Sequence, residues 1–489
     1  MKLLIVVFFP LLSTLFSSFV SAESTEADKL DPSIKGSLCY IQANDQVVLV
    51  DELLTKRLSL PGGSIEVGES PQQAAKRETW EETGIIVTVL EELTRTETAV
   101  IYHCVPDSGI VAFSAQTKEG YHVLPAWYAP TYGLEINQVY LADPHFVAAK
   151  EYRYPKQWKA QVLDKNVENS PVHYIKNAAN AAPIYHQFEL PAIQMLQSWV
   201  ASLPTLSNHL FVNVMRGLNA ISSFYTLLLL FPILYYFFGH EFIIRISFLV
   251  LMTFIVVILI QLGFKYPRPY AYDPSLQLAA LPGFGVPSLR ATATVVWVSY
   301  VYHHLIQTYE KFEMHKYFPL LVLIILAQGV ASVVLGLHFS SDVLFGYVLG
   351  MFIVWNFIRI ESHGNSRTLT IISHQAFWWV CFIMLVSFSW FTHSLYLGLI
   401  SAVALAFLLS VTCIKREKIE AWGNLYIKLI VTWVLILLIS YLYQHILSIS
   451  TYSPTASYFI QCAAWFVMTF IAITIGRVKP IYELKKEKA

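Results

Sequence analysis

Glu78, Glu81 and Glu82 lie at i, i+3 and i+4 in the stretch KRETWEETG, residues 76–84, so a helix through them gathers three carboxylates on one face. Charges that close repel one another unless a divalent cation neutralises them. Hard oxygen ligands of this kind suit Mg2+ or Mn2+, which keep part of their water and bridge to phosphate oxygens. Such an ion offsets the charge of a diphosphate and polarises an attacking water. The flanking residues suit the same task. Gly62 and Gly63 let a loop turn and its backbone approach a phosphate, while Glu69 and Arg77 fix that loop against the helix. The predicted chemistry is metal-assisted hydrolysis. Glu78, Glu81 and Glu82 hold the metal, Glu69, Arg77, Glu81 and Glu82 form the catalytic set, and Gly62 and Gly63 meet phosphate.

The whole stretch LPGGSIEVGESPQQAAKRETWEETGII, residues 60–86, resembles the signature of the Nudix hydrolase family. In that pattern Gly63 is followed at fixed spacing by Glu69, Arg77-Glu78, Glu81-Glu82 and Gly84. The resemblance covers roughly residues 33 to 160 and implies an α/β/α sandwich that hydrolyses a nucleoside diphosphate linked to another moiety. It also implies that Glu81 or Glu82 serves as the base. A folded recognition module that has lost catalysis is the competing reading.

Further along, three stretches form a second group: KYPRPYAYDP at 265–274, GFGVPSLRATATVVW at 283–297 and VVLGLHFSSDVLFG at 333–346. Together they resemble the type 2 phosphatidic acid phosphatase superfamily in its integral-membrane branch. That resemblance implies a phosphate cradle in which His338 attacks phosphorus, Asp342 orients it, and Arg268 and Ser288 hold the phosphoryl group. The pattern is broken in three places. Gln261 stands where a lysine belongs, with Lys265 out of register; Arg290 replaces the acid histidine; and Ser332 replaces an arginine. General acid help is worth about 10²–10⁴ in rate, and each preorganised charge stabiliser about 10²–10³. Arg290 supplies a substitute cation for phosphate, but a guanidinium does not release a proton near neutral pH. The expectation is therefore an impaired enzyme that persists as a scaffold or lipid-headgroup site. A bifunctional hydrolase and phosphatase is the alternative.

The elements that must position these residues follow from composition. Of the 489 residues 55% are hydrophobic and 13% charged, and the mean hydropathy of +0.52 is too apolar for a wholly soluble chain. Zero net charge gives no reason to expect nucleic acid. Met1 to Ala22 reads as a secretory signal peptide, its apolar run ending in Val20-Ser21-Ala22 before Glu23 with Val20 and Ala22 at the −3 and −1 positions, and an uncleaved anchor helix is the alternative. Residues 33–160 alternate short β-like runs (38–41, 47–50, 86–90 and 110–115) with one helix capped by Ser70, opened by Pro71 and closed by Gly84. Residues 161–208 read as a connector whose amphipathic stretch, Phe188 to Leu203, suits a membrane surface.

Thereafter about nine apolar runs, near 211–237, 242–264, 290–307, 317–336, 342–359, 374–392, 394–413, 424–446 and 456–477, approach membrane-spanning length. The fold class expected is thus an α/β domain followed by an all-α polytopic membrane domain, its phosphatase-like part ending near residue 360. Lysine and arginine concentrate in alternate loops and in the tail after Arg477. That bias places the C-terminus in the cytoplasm and the α/β domain on the periplasmic side of a bacterial inner membrane. Outside the cytoplasm a disulfide between Cys39 and Cys104 is chemically permitted. The expected partners are membrane lipids and a diphosphate, either a small molecule or lipid-linked. Selectivity belongs to loops such as 121–137, whose residue types do not spell out a ligand.

Overall fold

The computed structural model describes residues 33–163, 165, 167–308, 314–364, 366–413, 425–449 and 453–477. The expected signal peptide, the loop with Lys415, Arg416 and Lys418, and the basic tail after Arg477 lie outside the described residues.

The N-terminal region is mixed α/β. Strand β1 (Gly36–Tyr40) runs parallel to β7 (Ala99–Pro106), with β5 (Gly62–Ser64) on its other edge and β6 (Val87–Arg95) beyond β7. A second sheet is built on β3 (Gln46–Glu52), which pairs antiparallel with β2 (Gln42–Ala43), β4 (Leu58–Ser59) and β10 (Ile136–Ala142), with β9 (His122–Leu124) beyond β10. The first helix, α1 (Pro71–Thr83), packs on β1, β5 and β6. Alternation of buried residues explains why these runs are strands: Val48 and Val50 enter one core, Val47 and Leu49 the other. Strands β7 and β10 were not expected; each reads in sequence as a mixed apolar run without clear period. A disulfide joins Cys39 to Cys104 across this sheet, with Cα atoms 5.5 Å apart. Strand pairing also continues past residue 160, since β11 (Val172–Ile175) pairs parallel with β8 (Ile110–Phe113).

The rest of the chain is helical. The amphipathic stretch is α2 (Ile184–Ser202), which buries Leu190 and Ile193 against Tyr272, Leu276 and Phe339. Its other face leaves Phe188, Met195 and Trp199 exposed. Next come α3 (Thr205–Ala220) and α4 (Phe224–Phe264), which departs from helical geometry at Gly239 with φ 78°. The expected first span, 211–237, is thus divided between two helices that meet at a 61° bend. Seven helices follow the first half of α4 in the positions expected: α5 (Leu289–Thr308), α6 (Phe318–Val334), α7 (Ser340–Gly364), α8 (Gln375–Thr392), α9 (Leu395–Cys413), α10 (Leu425–Ile449) and α11 (Pro454–Arg477).

The expected number of spans is not reached by length and composition. Among the described residues five helices qualify, or six if the bent pair is one span. Helix α6 is only 17 residues long, short of the ~20 needed to cross the hydrocarbon. Helix α5 carries Arg290 and the buried Thr292 and Thr294, polar residues that face neighbouring helices.

The two regions are packed together. Leu53 sits against Leu395 and Leu399, Gln461 donates to the Leu54 carbonyl at 3.2 Å, and Phe284 joins the core of the α/β region.

Candidate active site and membrane-domain cavity

Helix α1 begins where its sequence says. Ser70 accepts from the Gln73 N–H while Gln73 accepts from the Ser70 N–H, and Gly84 closes the helix in the left-handed conformation. These caps fix the rotation of α1, and so the direction of its acidic face.

Arg77 is the hub of that face. It donates twice to Glu69, at 2.9 Å each, and once to the Ser64 carbonyl at 3.0 Å. Its remaining arm reaches Glu78 at 2.9 Å and Glu81 at 3.2 Å. Glu82 is buried and accepts from the Gly62 N–H at 2.9 Å. Two glycines make this possible. A Cβ on Gly62, whose φ is +150°, would lie 2.4 Å from the Ser37 carbonyl oxygen. A Cβ on Gly63 would occupy the place of the Glu78 carboxylate, 2.4 Å from its Cδ.

The electrostatics divide the acids into two groups. The Arg77 hydrogen bonds hold Glu69 below the usual carboxylate range. Burial instead pushes Glu78 up, against the pull of Arg77, and pushes Glu82 well up, with Glu52, Glu78 and Glu135 adding repulsion. Glu135, not anticipated from sequence, is also pushed up by burial; Glu81 and Glu52 reinforce the shift and His393 opposes it. It falls within the loop 121–137, and nothing in its sequence spacing marks it.

Among the described residues no three His, Cys, Asp or Glu side chains are already gathered on one point. The donor set nevertheless fits a hard divalent cation. It is all oxygen, burial raises the carboxyls of two of its members, and a cation would relieve the cost of their charged forms.

The second group of residues also assembles. Arg268 donates to Nε2 of His338 at 2.9 Å and to the Leu337 carbonyl at 2.9 Å. Nδ1 of His338 donates to the Gly285 carbonyl at 2.9 Å. Asp342, expected to orient His338, stands 3.9 Å from Nδ1, beyond hydrogen-bond reach, because that carbonyl lies nearer. One Asp342 oxygen accepts from the Phe339 N–H, and the other faces His186 at 3.6 Å. Sequence reading missed His186, whose α2 is distant along the chain. Ser288, expected to hold phosphate, is fully buried and lies at the start of α5, its Oγ 3.5 Å from the Ala291 N–H. Gln261 donates to the Pro287 carbonyl, and Ser332 is tied to Asn219. The lone pair by which His338 would attack is therefore capped by a guanidinium. Arg268, Arg290, Gln261 and His338 line a cavity of about 250 Å3, to which the α/β region contributes Gly133 and Leu134.

Comparison with known proteins agrees with both assignments. Residues 35–152 match the NUDIX domain family and residues 242–365 the PAP2 superfamily. A MutT-like protein of Streptomyces ambofaciens is 39% identical over 64 residues, a match covering 12% of this chain and 42% of that protein. A solved structure of a UDP-X diphosphatase aligns at 16% identity over 34% of this chain and 74% of that one, with a TM-score of 0.17. The chain thus carries a NUDIX domain at residues 35–152 and, further along, a PAP2 superfamily domain at residues 242–365.

Proposed function

We propose that the protein is a membrane-tethered, divalent-metal-dependent hydrolase of a diphosphate linkage, with its NUDIX domain as the enzyme. The observation that carries this is the Arg77-centred array of Glu69, Glu78 and Glu81, with Glu82 seated under Gly62. Glu78, Glu81 and Glu82 would hold Mg2+ or Mn2+, which supplies charge neutralisation and a polarised water. Arg77 and Glu69 keep the acidic face turned toward the Gly62–Gly63 loop, whose backbone meets the phosphates. Glu81 or Glu82 accepts the proton of the attacking water. The domain faces the periplasm of a bacterial inner membrane in this reading, and the Cys39–Cys104 disulfide supports an oxidising compartment.

The PAP2 domain is impaired as a phosphatase in this reading. Arg268 occupies His338 Nε2, and Arg290 cannot give the leaving group a proton. The test uses full-length protein in detergent with Mg2+ and a panel of nucleoside diphosphate and prenyl diphosphate substrates. Glu81→Gln should lower turnover by 10² or more, while His338→Ala leaves it within twofold. Loss of a monophosphatase activity in His338→Ala would instead establish a bifunctional enzyme.

A further inference from the structure

Two guanidinium groups stand on the cavity between the domains without an acidic partner. Arg268 is 4% exposed and spends its donors on His338 and on the carbonyls of Pro282, Gly283 and Leu337. Among the described residues Arg290 reaches only the Asn219 carbonyl, at 3.4 Å. Among the described residues no Asp or Glu forms an ion pair with either. Arg268 is buried and Arg290 half-buried; cations left without a counter-charge in such surroundings are costly, and an anionic guest relieves that cost.

The remaining walls say what else the guest carries. Ile258, Leu399, Ile400 and Trp465 make much of them apolar beside Ser222, Ser223, Ser394 and Tyr396, and Phe224, Phe254, Ile400 and Trp465 are shared with a second cavity of about 100 Å3. Among the described residues the polar lining of that second cavity is Ser247 and Thr469, with the Trp297 and Trp465 indoles. A phosphate on an apolar chain matches this combination.

The roof belongs to the other domain. Gly133 and Leu134 line the cavity, and the same loop is tied to the acidic helix, since the Thr131 N–H and hydroxyl donate to the Glu81 carbonyl at 3.0 and 2.7 Å. One short loop therefore touches both the cavity and the end of α1.

The geometry points to an effector site: a lipid monophosphate bound under Gly133 and Leu134, not turned over, raises the metal affinity of the NUDIX glutamates through the 131–135 loop. A guest that packs this loop favours the arrangement in which Thr131 holds the Glu81 carbonyl, so the metal binds that arrangement more tightly. This rests on the NUDIX domain being the metal site, but not on its turning over any substrate.

The experiment uses full-length protein in neutral detergent, with dioctanoyl phosphatidic acid, dioctanoyl phosphatidylcholine and inorganic phosphate as probes. Binding is followed by equilibrium dialysis, and metal affinity by Mn2+ electron paramagnetic resonance. The phosphatidic acid should bind saturably, and Arg290→Gln should weaken it at least tenfold. Inorganic phosphate should bind far more weakly, since each buried methylene is worth about fourfold. Saturating phosphatidic acid should tighten Mn2+ binding by fivefold or more, and Mn2+ should tighten the lipid by the same factor. Thr131→Val should keep lipid binding and reduce that factor. The proposal is overturned if Mn2+ affinity is indifferent to the lipid, if phosphatidylcholine or free phosphate serves equally, or if the phosphatidic acid is hydrolysed. An absence of diphosphate hydrolysis would count against the function proposed above while leaving these affinities to be read.

Discussion

Substituting Gly63 by alanine separates the placement of a metal ligand from the stability of the fold. Gly63 lies in β5 opposite Ser37, and a Cβ there would come within 2.4 Å of Glu78 Cδ and 2.5 and 2.7 Å of its oxygens. Carbon atoms in contact sit about 3.5 Å apart or more, so the Glu78 carboxylate must retreat by about 1 Å. The obstacle is the far end of a side chain and the backbone at Gly63 is not left-handed, so the fold absorbs the change. Alanine also restricts the unfolded chain, which favours folding by about 0.4–1 kcal/mol. A misplacement of about 1 Å in a catalytic group costs on the order of 10² in rate. Gly63→Ala is thus expected to lose about 10² in kcat/KM at saturating Mg2+ while its melting temperature falls by no more than a few degrees. Gly62→Ala is the contrast. Its Cβ would meet backbone, 2.4 Å from the Ser37 oxygen and 2.6 Å from Leu38 Cα, at a φ of +150°, so stability and activity should fall together. Product formation from a nucleoside diphosphate derivative, followed by anion-exchange chromatography, and thermal unfolding in detergent provide the readouts. The reasoning fails if Gly63→Ala keeps kcat/KM within threefold, or melts as early as Gly62→Ala.

Three further outcomes follow from the same geometry. Burial raises the carboxyls of Glu78 and Glu82 in the folded state, so their contribution to stability is present below the unfolded value near 4.3 and is lost as pH rises through the folded values. Mg2+ should therefore raise the melting temperature more at pH 8 than at pH 5, and its binding should release protons, measured by calorimetry in buffers of different ionisation enthalpy; an equal gain at both pH values would contradict this. Arg77→Lys cannot keep two parallel bonds to Glu69 while reaching Glu78 and Glu81, and should lower Mn2+ affinity by about 10–100-fold; an unchanged affinity would remove Arg77 from the hub. Reducing the disulfide, which closes a separation of 65 residues, should destabilise the NUDIX domain by about 4 kcal/mol on the chain-entropy account; thermal unfolding with and without reductant checks this, and coincident curves would refute it.

Local chemistry made the acidic helix legible in the sequence. Ser70, Pro71 and Gly84 act on neighbours within four residues, and the spacing of Glu78, Glu81 and Glu82 places them on one face wherever the helix lies. The apolar runs were readable for a similar reason, since a helix must satisfy its own backbone whatever surrounds it. Sequence did not separate a run that crosses a membrane from one that breaks, because the bend between α3 and α4 depends on what packs around it. Long-range contact decided the rest. Glu135 comes beside Glu81 only because the loop before β10 folds over α1, and His186 reaches Asp342 from a helix more than 150 residues earlier. The replacements of motif residues at 261, 290 and 332 were visible one by one. Only the tertiary structure showed that Arg268 closes on His338 Nε2, that a carbonyl displaces Asp342 from Nδ1, and that Leu134 of one domain roofs the cavity of the other. Such pairings depend on which distant surfaces fit together, and packing between domains is not encoded in any local period of the chain.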